Sequence, residues 1–140
     1  DIDYSQAGKD ENGNAINVFG SDKSVEELYA SNTNVAKTGI FVFWYVNLYE
    51  KQGEQIINNM QKQILNKAKA MCEANGVEFK NEVFDSMFNN SKEIALNAGI
   101  TRDGITANLN VKTLLDTFAE NFKQNYSNWV EAEANKAKNK

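Results

Sequence analysis

The run Ile40-Phe41-Val42-Phe43-Trp44-Tyr45-Val46, continued by Leu48 and Tyr49, places five aromatic side chains within ten residues. In a chain whose mean hydropathy is −0.58, finding room for that block constrains the fold more than any other segment does. Its uninterrupted apolar part, residues 40–46, is far shorter than the roughly 20 residues that cross a bilayer, so no transmembrane helix is expected. Coiled as a helix, residues 40–48 would be apolar around nearly their whole circumference and would need neighbours on several sides. Three uses compete for such a block: core, a partner-binding or dimer surface, or insertion into a bilayer interface. For the last of these, Trp44, Tyr45 and Tyr49 are suitable amphipathic aromatics.

Two absences narrow the fold and the chemistry. There is no proline, so long helices can run without the breaks that its missing N–H imposes. There is no histidine, which removes the usual general base, the usual metal ligand and the simplest switch near neutral pH. His-dependent triads, HExxH zinc sites and Glu-x-x-His di-iron sites are thereby excluded. Cys72 is the single cysteine and can form no internal disulfide; it reads as a small apolar core residue. With 140 residues, 41% of them hydrophobic, the chain suits one domain with one core. The formal charge of −4 is dispersed, so it provides no cationic face of the kind nucleic acid selects.

Residues 1–20 are polar and rich in turn formers. Asn12-Gly13 sits between loosely alternating Ile2/Tyr4 and Ile16/Val18, which suits a small hairpin. Two short strands do not stabilise themselves, so a mobile N-terminal arm is the preferred reading. Ser24 and Glu27 have capping-box spacing and open a short first helix near 22–30. Asn34 can cap a second. There Val42, Val46 and Tyr49 extend the stripe formed by Ile57, Met60, Ile64, Ala68 and Met71, and phase continuity predicts one central helix over about 35–74. It would be about 60 Å long, with any kink at Gly53. The rival reading makes 40–46 a buried strand, for which the N-terminal segment and 100–106 are the few available partners.

A third helix near 79–98 turns Phe84, Met87, Phe88, Ile94 and Ala98 inward and stops at Gly99, read as a left-handed C-cap. A tight connection built on Asp103-Gly104 leads to a fourth helix, starting near Thr106 or Asn108. It bears Val111, Leu115, Phe118, Phe122, Tyr126 and Trp129 on one face. The expected fold is therefore all-α: a four-helix bundle-like domain over 21–140, with one long central helix, behind a polar arm at 1–20.

No motif in this sequence carries chemistry of its own. Asp10-x-Asn12-x-Asn14 starts like a calcium loop, but Gly13 stands at the fourth place and Ser21 where the bidentate glutamate belongs. Glu50/Glu54 and Asp116/Glu120 are carboxylate pairs one helical turn apart, with Lys51 and Lys123 nearby, and read as solvated faces. Asn89-Asn90-Ser91 and Asn125-Tyr126-Ser127 match the glycosylation pattern, which an asparagine-rich chain meets by chance. Lys62, Lys67 and Lys69 give a mildly basic face, yet Arg102 is the only arginine and nucleic acid is not expected as a partner. No catalytic, cofactor-binding or metal-ligating residue is expected, and no cofactor.

The functional expectation is a non-enzymatic helical domain that binds a protein partner, with homo-oligomerisation as one form of that binding. Phe41, Trp44 and Tyr45, the aromatic residues off the central seam, are the candidate contacts. Abundant Asn and Lys with a sole Arg point to an AT-rich, bacterial genome, and a start at Asp1 behind a polar arm points to an exported or surface-tethered protein. The alternatives are a membrane-active or pore-forming helical protein using 40–49, and an enzyme using Glu50, Glu54, Asp116 or Glu120.

Overall fold

The structure, a computed structural model, describes residues 8–10, 12–15, 23–31 and 34–138. Along them run α1 (Val25–Ser31), β1 (Asn34–Thr38), a 3-10 turn (Gly39–Phe41), α2 (Val42–Asn58), α3 (Gln61–Ala74), α4 (Asn81–Ala98), β2 (Ile100–Arg102), β3 (Thr106–Asn110) and α5 (Val111–Lys138). The fold is mostly helical but not all-α. A three-stranded antiparallel sheet, ordered β1-β3-β2, is built into it.

The largest packing unit joins α4 to α5. Phe84 and Phe88 lie on one face of α4 and meet Phe118 and Phe122 of α5. Edge-to-face centroid separations there are 5.6 Å for Phe84–Phe122 and 5.2 Å for Phe88–Phe118. The ladder continues along α5 through Tyr126, 5.3 Å from Phe122, to Trp129. Each such pair adds about 0.5–1.5 kcal/mol beyond the area it buries. Cys72 of α3 is buried at the end of this ladder, its Sγ 3.3 Å from Tyr126 Oη.

The chain between these helices is a β-hairpin. Ile100 pairs with Leu109 and Arg102 with Ala107, and Asp103 N–H donates to the Thr106 carbonyl at 3.0 Å. That leaves Gly104-Ile105 as a two-residue loop in which Gly104 has φ +87°, a conformation that favours glycine, and Ile105 N–H donates to the Asp103 carbonyl at 3.2 Å. On β3 the alternation is strict: Ala107 and Leu109 are buried, and Thr106, Asn108 and Asn110 only half so. β3 then runs into α5 without a loop. The Asn110 side chain caps that helix by accepting the Thr113 N–H at 2.8 Å, so α5 begins later than Thr106 or Asn108.

The expected helix over 35–74 is replaced by a strand, a 3-10 turn and two helices. Residues 34–38 pair with 110–106 in an unbroken antiparallel register, a use that β-branched Val35 and Thr38 favour. Gly39 has φ +74° and donates its N–H to the Ile105 carbonyl at 2.7 Å, so the helix cannot start before it. Residues 40–46 are therefore not a strand: the strand lies just before them, and 42–46 are helical. The second break falls at Asn58-Asn59-Met60 and not at Gly53. There the Met60 N–H bonds the Ile57 carbonyl, an i−3 link, at 3.0 Å. The hydrophobic phase passes through it, because Ile56, Ile57, Met60, Ile64, Ala68 and Cys72 are all buried. That continuity is why two helices read as one.

Gly53 instead lets α2 approach α4: a Cβ there would stand 2.7 Å from Leu96 Cδ2. Gly99 is likewise not a left-handed cap, since its φ is −78°. Its lack of a side chain makes room for the Tyr49 hydroxyl, which donates to the Leu96 carbonyl at 3.0 Å.

The short α1 opens with the expected capping box: Glu27 N–H donates to Ser24 Oγ at 3.2 Å and Ser24 N–H to Glu27 Oε1 at 3.4 Å. Val25 and Leu28 are buried, and Tyr29 Oη donates to Asp116 Oδ1 at 2.8 Å, fastening α1 to α5. Of the N-terminal arm, Lys9 and Ala15 form an antiparallel bridge closed at Gly13, and Gly8 lies against Val25. The remainder of the 1–20 arm lies outside the described residues.

Gly99→Ala is expected to lower unfolding free energy by about 1–3 kcal/mol through overpacking against Tyr49. Adding Tyr49→Phe should recover part of the loss, because the hydroxyl is the group struck. Urea denaturation of the four-member cycle checks this, and strict additivity of the two changes would refute the contact.

Candidate functional site

The aromatic block divides at the surface of α2. Val42, Tyr45 and Tyr49 are buried, and the seam continues through Gly53 to Ile56 and Ile57. The other side of the block faces out: Ile40 is 85% exposed, Phe41 62%, Phe43 83% and Trp44 57%. Ile105, at the hairpin tip, is 73% exposed, and the Gly39–Ile105 backbone bond holds it beside this segment. Among the described residues the one other large exposed hydrophobic is Ile94. Single exposed hydrophobics are ordinary; five gathered at one end are not. At roughly 150–250 Å² for an aromatic side chain, the exposed parts of Phe41, Phe43 and Trp44 alone present on the order of 300–500 Å². The largest patch on a typical monomer is about 300–600 Å².

Of the three candidate contacts, Phe41 and Trp44 lie on this apolar end. Tyr45 does not. It is fully buried, and its hydroxyl donates to the Val35 carbonyl at 2.7 Å, tying α2 to β1. Burial pushes the hydroxyls of Tyr45 and Tyr49 well above the ordinary tyrosine range. It does the same to Tyr126, with the Cys72 side chain adding to the effect. Periodicity misplaced Tyr45 because the true seam runs 42, 45, 49, 53, 56, and Gly53 has no side chain to mark it. Ile40 and Phe43 take its place outside. No sequence signal marked Ile105, a hairpin-tip residue brought to the patch by strand pairing.

The carboxylates of the enzyme alternative fall into separate places. Glu50 and Glu54 border an open polar groove of about 670 Å³ between α2 and α4. Arg102 pairs with Glu50 at 3.2 Å, and Lys92 pairs with Glu54 at 3.3 Å while also donating to Asn58 Oδ1 at 3.2 Å. Asp116 is occupied by Tyr29 and Lys112, and the Asp116 carboxylate raises the Lys112 ammonium above its ordinary value. Glu120 stands exposed a turn further on. Among the described residues no group of three or more His, Cys, Asp or Glu could hold a metal ion.

The calcium-like start of the N-terminal loop is a turn: Asp10 Oδ1 accepts the N–H groups of Asn12 and Asn14, each at 2.9 Å. Both glycosylation matches lie inside helices, and Ser91 is buried with its hydroxyl donating to Asn121 Oδ1 at 2.8 Å. No helix among the described residues is long and apolar enough to cross a membrane. No family model matches the chain, nor does any curated protein or solved structure.

The buried tyrosines set an alkaline limit. An unfolded tyrosine titrates near pH ~10, and these groups have raised folded values. Their contribution is complete below that pH and is lost as pH rises above it, by up to about 1.4 kcal/mol per pH unit for each group. Phenolate absorbance of Tyr45, Tyr49 and Tyr126 should therefore appear only together with loss of the circular dichroism signal. Ionisation near pH ~10 with the fold intact would contradict their burial.

Proposed function

We propose that the chain is a non-enzymatic protein-binding domain whose contact surface is the apolar end formed by Ile40, Phe41, Phe43, Trp44 and Ile105. The observation carrying this reading is the clustering of four exposed hydrophobics of the 3-10 turn and the start of α2 with Ile105, which the Gly39–Ile105 backbone bond holds beside them. An apolar cluster of this kind suits the centre of a standard interface, to which each partner contributes ~800 Å². Trp and Phe are residue types on which binding energy concentrates. The enzyme reading is less well supported, because Glu50, Glu54 and Asp116 are each engaged by a cation.

The same proposal places the domain on an exported or surface-tethered bacterial protein. Abundant Asn and Lys with a single arginine support it, as does the polar composition of residues 1–20. A signal peptide or lipid-attachment cysteine encoded upstream of Asp1 is what it requires.

A photo-crosslinking residue in place of Phe43, activated in the producing cell, should yield a discrete protein adduct. Ile40→Ser with Trp44→Ser should abolish that adduct while changing stability by no more than about 0.5 kcal/mol per exposed site. Adducts confined to lipid, with a blue shift of Trp44 emission on vesicles in a Trp129→Phe background, would replace this reading with membrane insertion.

A further inference from the structure

Away from the apolar end, α3 and α5 enclose a small pocket of about 190 Å³. Ile64, Ala68 and Met71 line it from α3, and Ala119 and Phe122 from α5. It exists because alanines stand on both walls, where longer side chains would interdigitate. Protein interiors pack to near-crystalline density, and lining atoms that face a gap forfeit their dispersion contacts. Water compensates poorly in a space with so few hydrogen-bonding groups.

The rim is different in kind. Lys67 from α3 and Lys123 from α5 border the pocket, both exposed, and neither enters an ion pair among the described residues. Glu120, the acidic residue nearest Lys123 along α5, lines a neighbouring shallow depression that Lys123 shares with Gln124 and Ser127, but it does not line this pocket and makes no ion pair with Lys123. The pocket thus combines an apolar interior with two cations from facing helices. Its volume is about that of six waters, the size of a short acyl chain or a single ring.

We propose that this pocket binds a small anionic amphiphile: a medium-chain carboxylate whose chain lies against Ile64, Ala68, Met71 and Phe122 and whose carboxylate meets Lys67 and Lys123. Charge complementarity selects this occupant, since a neutral chain leaves both ammonium groups unused and a cationic one is repelled. The site is independent of the apolar end, and its failure would leave the protein-binding reading untouched.

Octanoate, octanol and octylammonium, titrated below their micellar concentrations into the intact chain with ¹³C-labelled methionine methyls, test it. The three methionines separate the signals: Met71 lines the pocket, while Met60 is buried elsewhere and Met87 lies on α4. Octanoate should shift Met71 saturably and leave Met87 unmoved, and octylammonium should bind at least about tenfold more weakly. Lys67→Gln with Lys123→Gln, both at exposed positions, should reduce octanoate affinity to that of octanol. Ala119→Leu, which fills the space, should abolish binding of both. The double lysine variant keeps the test decisive if the leucine variant fails to fold. Absence of saturation, equal binding of octylammonium, an unchanged double lysine variant, or Met87 shifting in parallel would each overturn the proposal.

Discussion

The interlocking of phenyl rings between α4 and α5 is the contact from which the remaining geometry follows. Phe84, Phe88, Phe118 and Phe122 meet with centroids 5.2–6.5 Å apart, fixing two long helices side by side. The short connection between those helices is then obliged to reverse direction within a dozen residues. It does so as a hairpin whose backbone groups must find partners. One side of β3 is satisfied by β2, and β1 satisfies the other. The sheet is therefore a consequence of the helix pair, and α2 inherits its starting point from the sheet.

That inheritance explains why so apolar a segment is half uncovered. The Gly39–Ile105 bond ends β1 beside the hairpin tip and starts α2 there, with Tyr45 and Tyr49 directed inward. Their hydroxyls are bound to the Val35 and Leu96 carbonyls, so rotating α2 to hide Phe43 would bury Phe43 at the cost of two satisfied polar contacts. Leaving a buried donor or acceptor unpaired costs about 1–3 kcal/mol, comparable with the gain from covering one large side chain. The apolar end is thus held open by the tyrosines behind it. The polar groove at Glu50 and Glu54 offers no similar tension, because Arg102 and Lys92 answer its charges directly.

Much of the helical pattern was legible in the residues. The capping box at Ser24 and Glu27, the inward Phe84 and Phe88 of α4, the inward face of α5, and the turn at Gly104 are each local devices whose physics acts within a few positions. Ile94 and Ala98, expected inward on α4, are exposed, and Ser91 and Ala95 are buried instead. The errors arose where a local pattern was compatible with two structures. Val35 and Thr38 fit a strand, but nothing nearby announces that Leu109 and Thr106 will lie opposite them, 74 and 68 positions away. The break at Asn58-Asn59 preserved the hydrophobic phase and so left no trace in it. Gly53 hid the seam because packing there is made by backbone, not by a side chain.

The sequence by itself determined that the chain is mostly helical, that histidine chemistry is excluded, and that residues 40–49 have to be sheltered or used. Tertiary structure alone decided which of them are sheltered. Tyr45 is buried and Phe43 exposed because the strand ladder and Gly39 set where the helix begins, and a helix's rotation about its axis follows from its first residue. Ile105 joined the exposed set for the same reason: a hydrogen bond across a sheet, between residues far apart in the chain, placed it there.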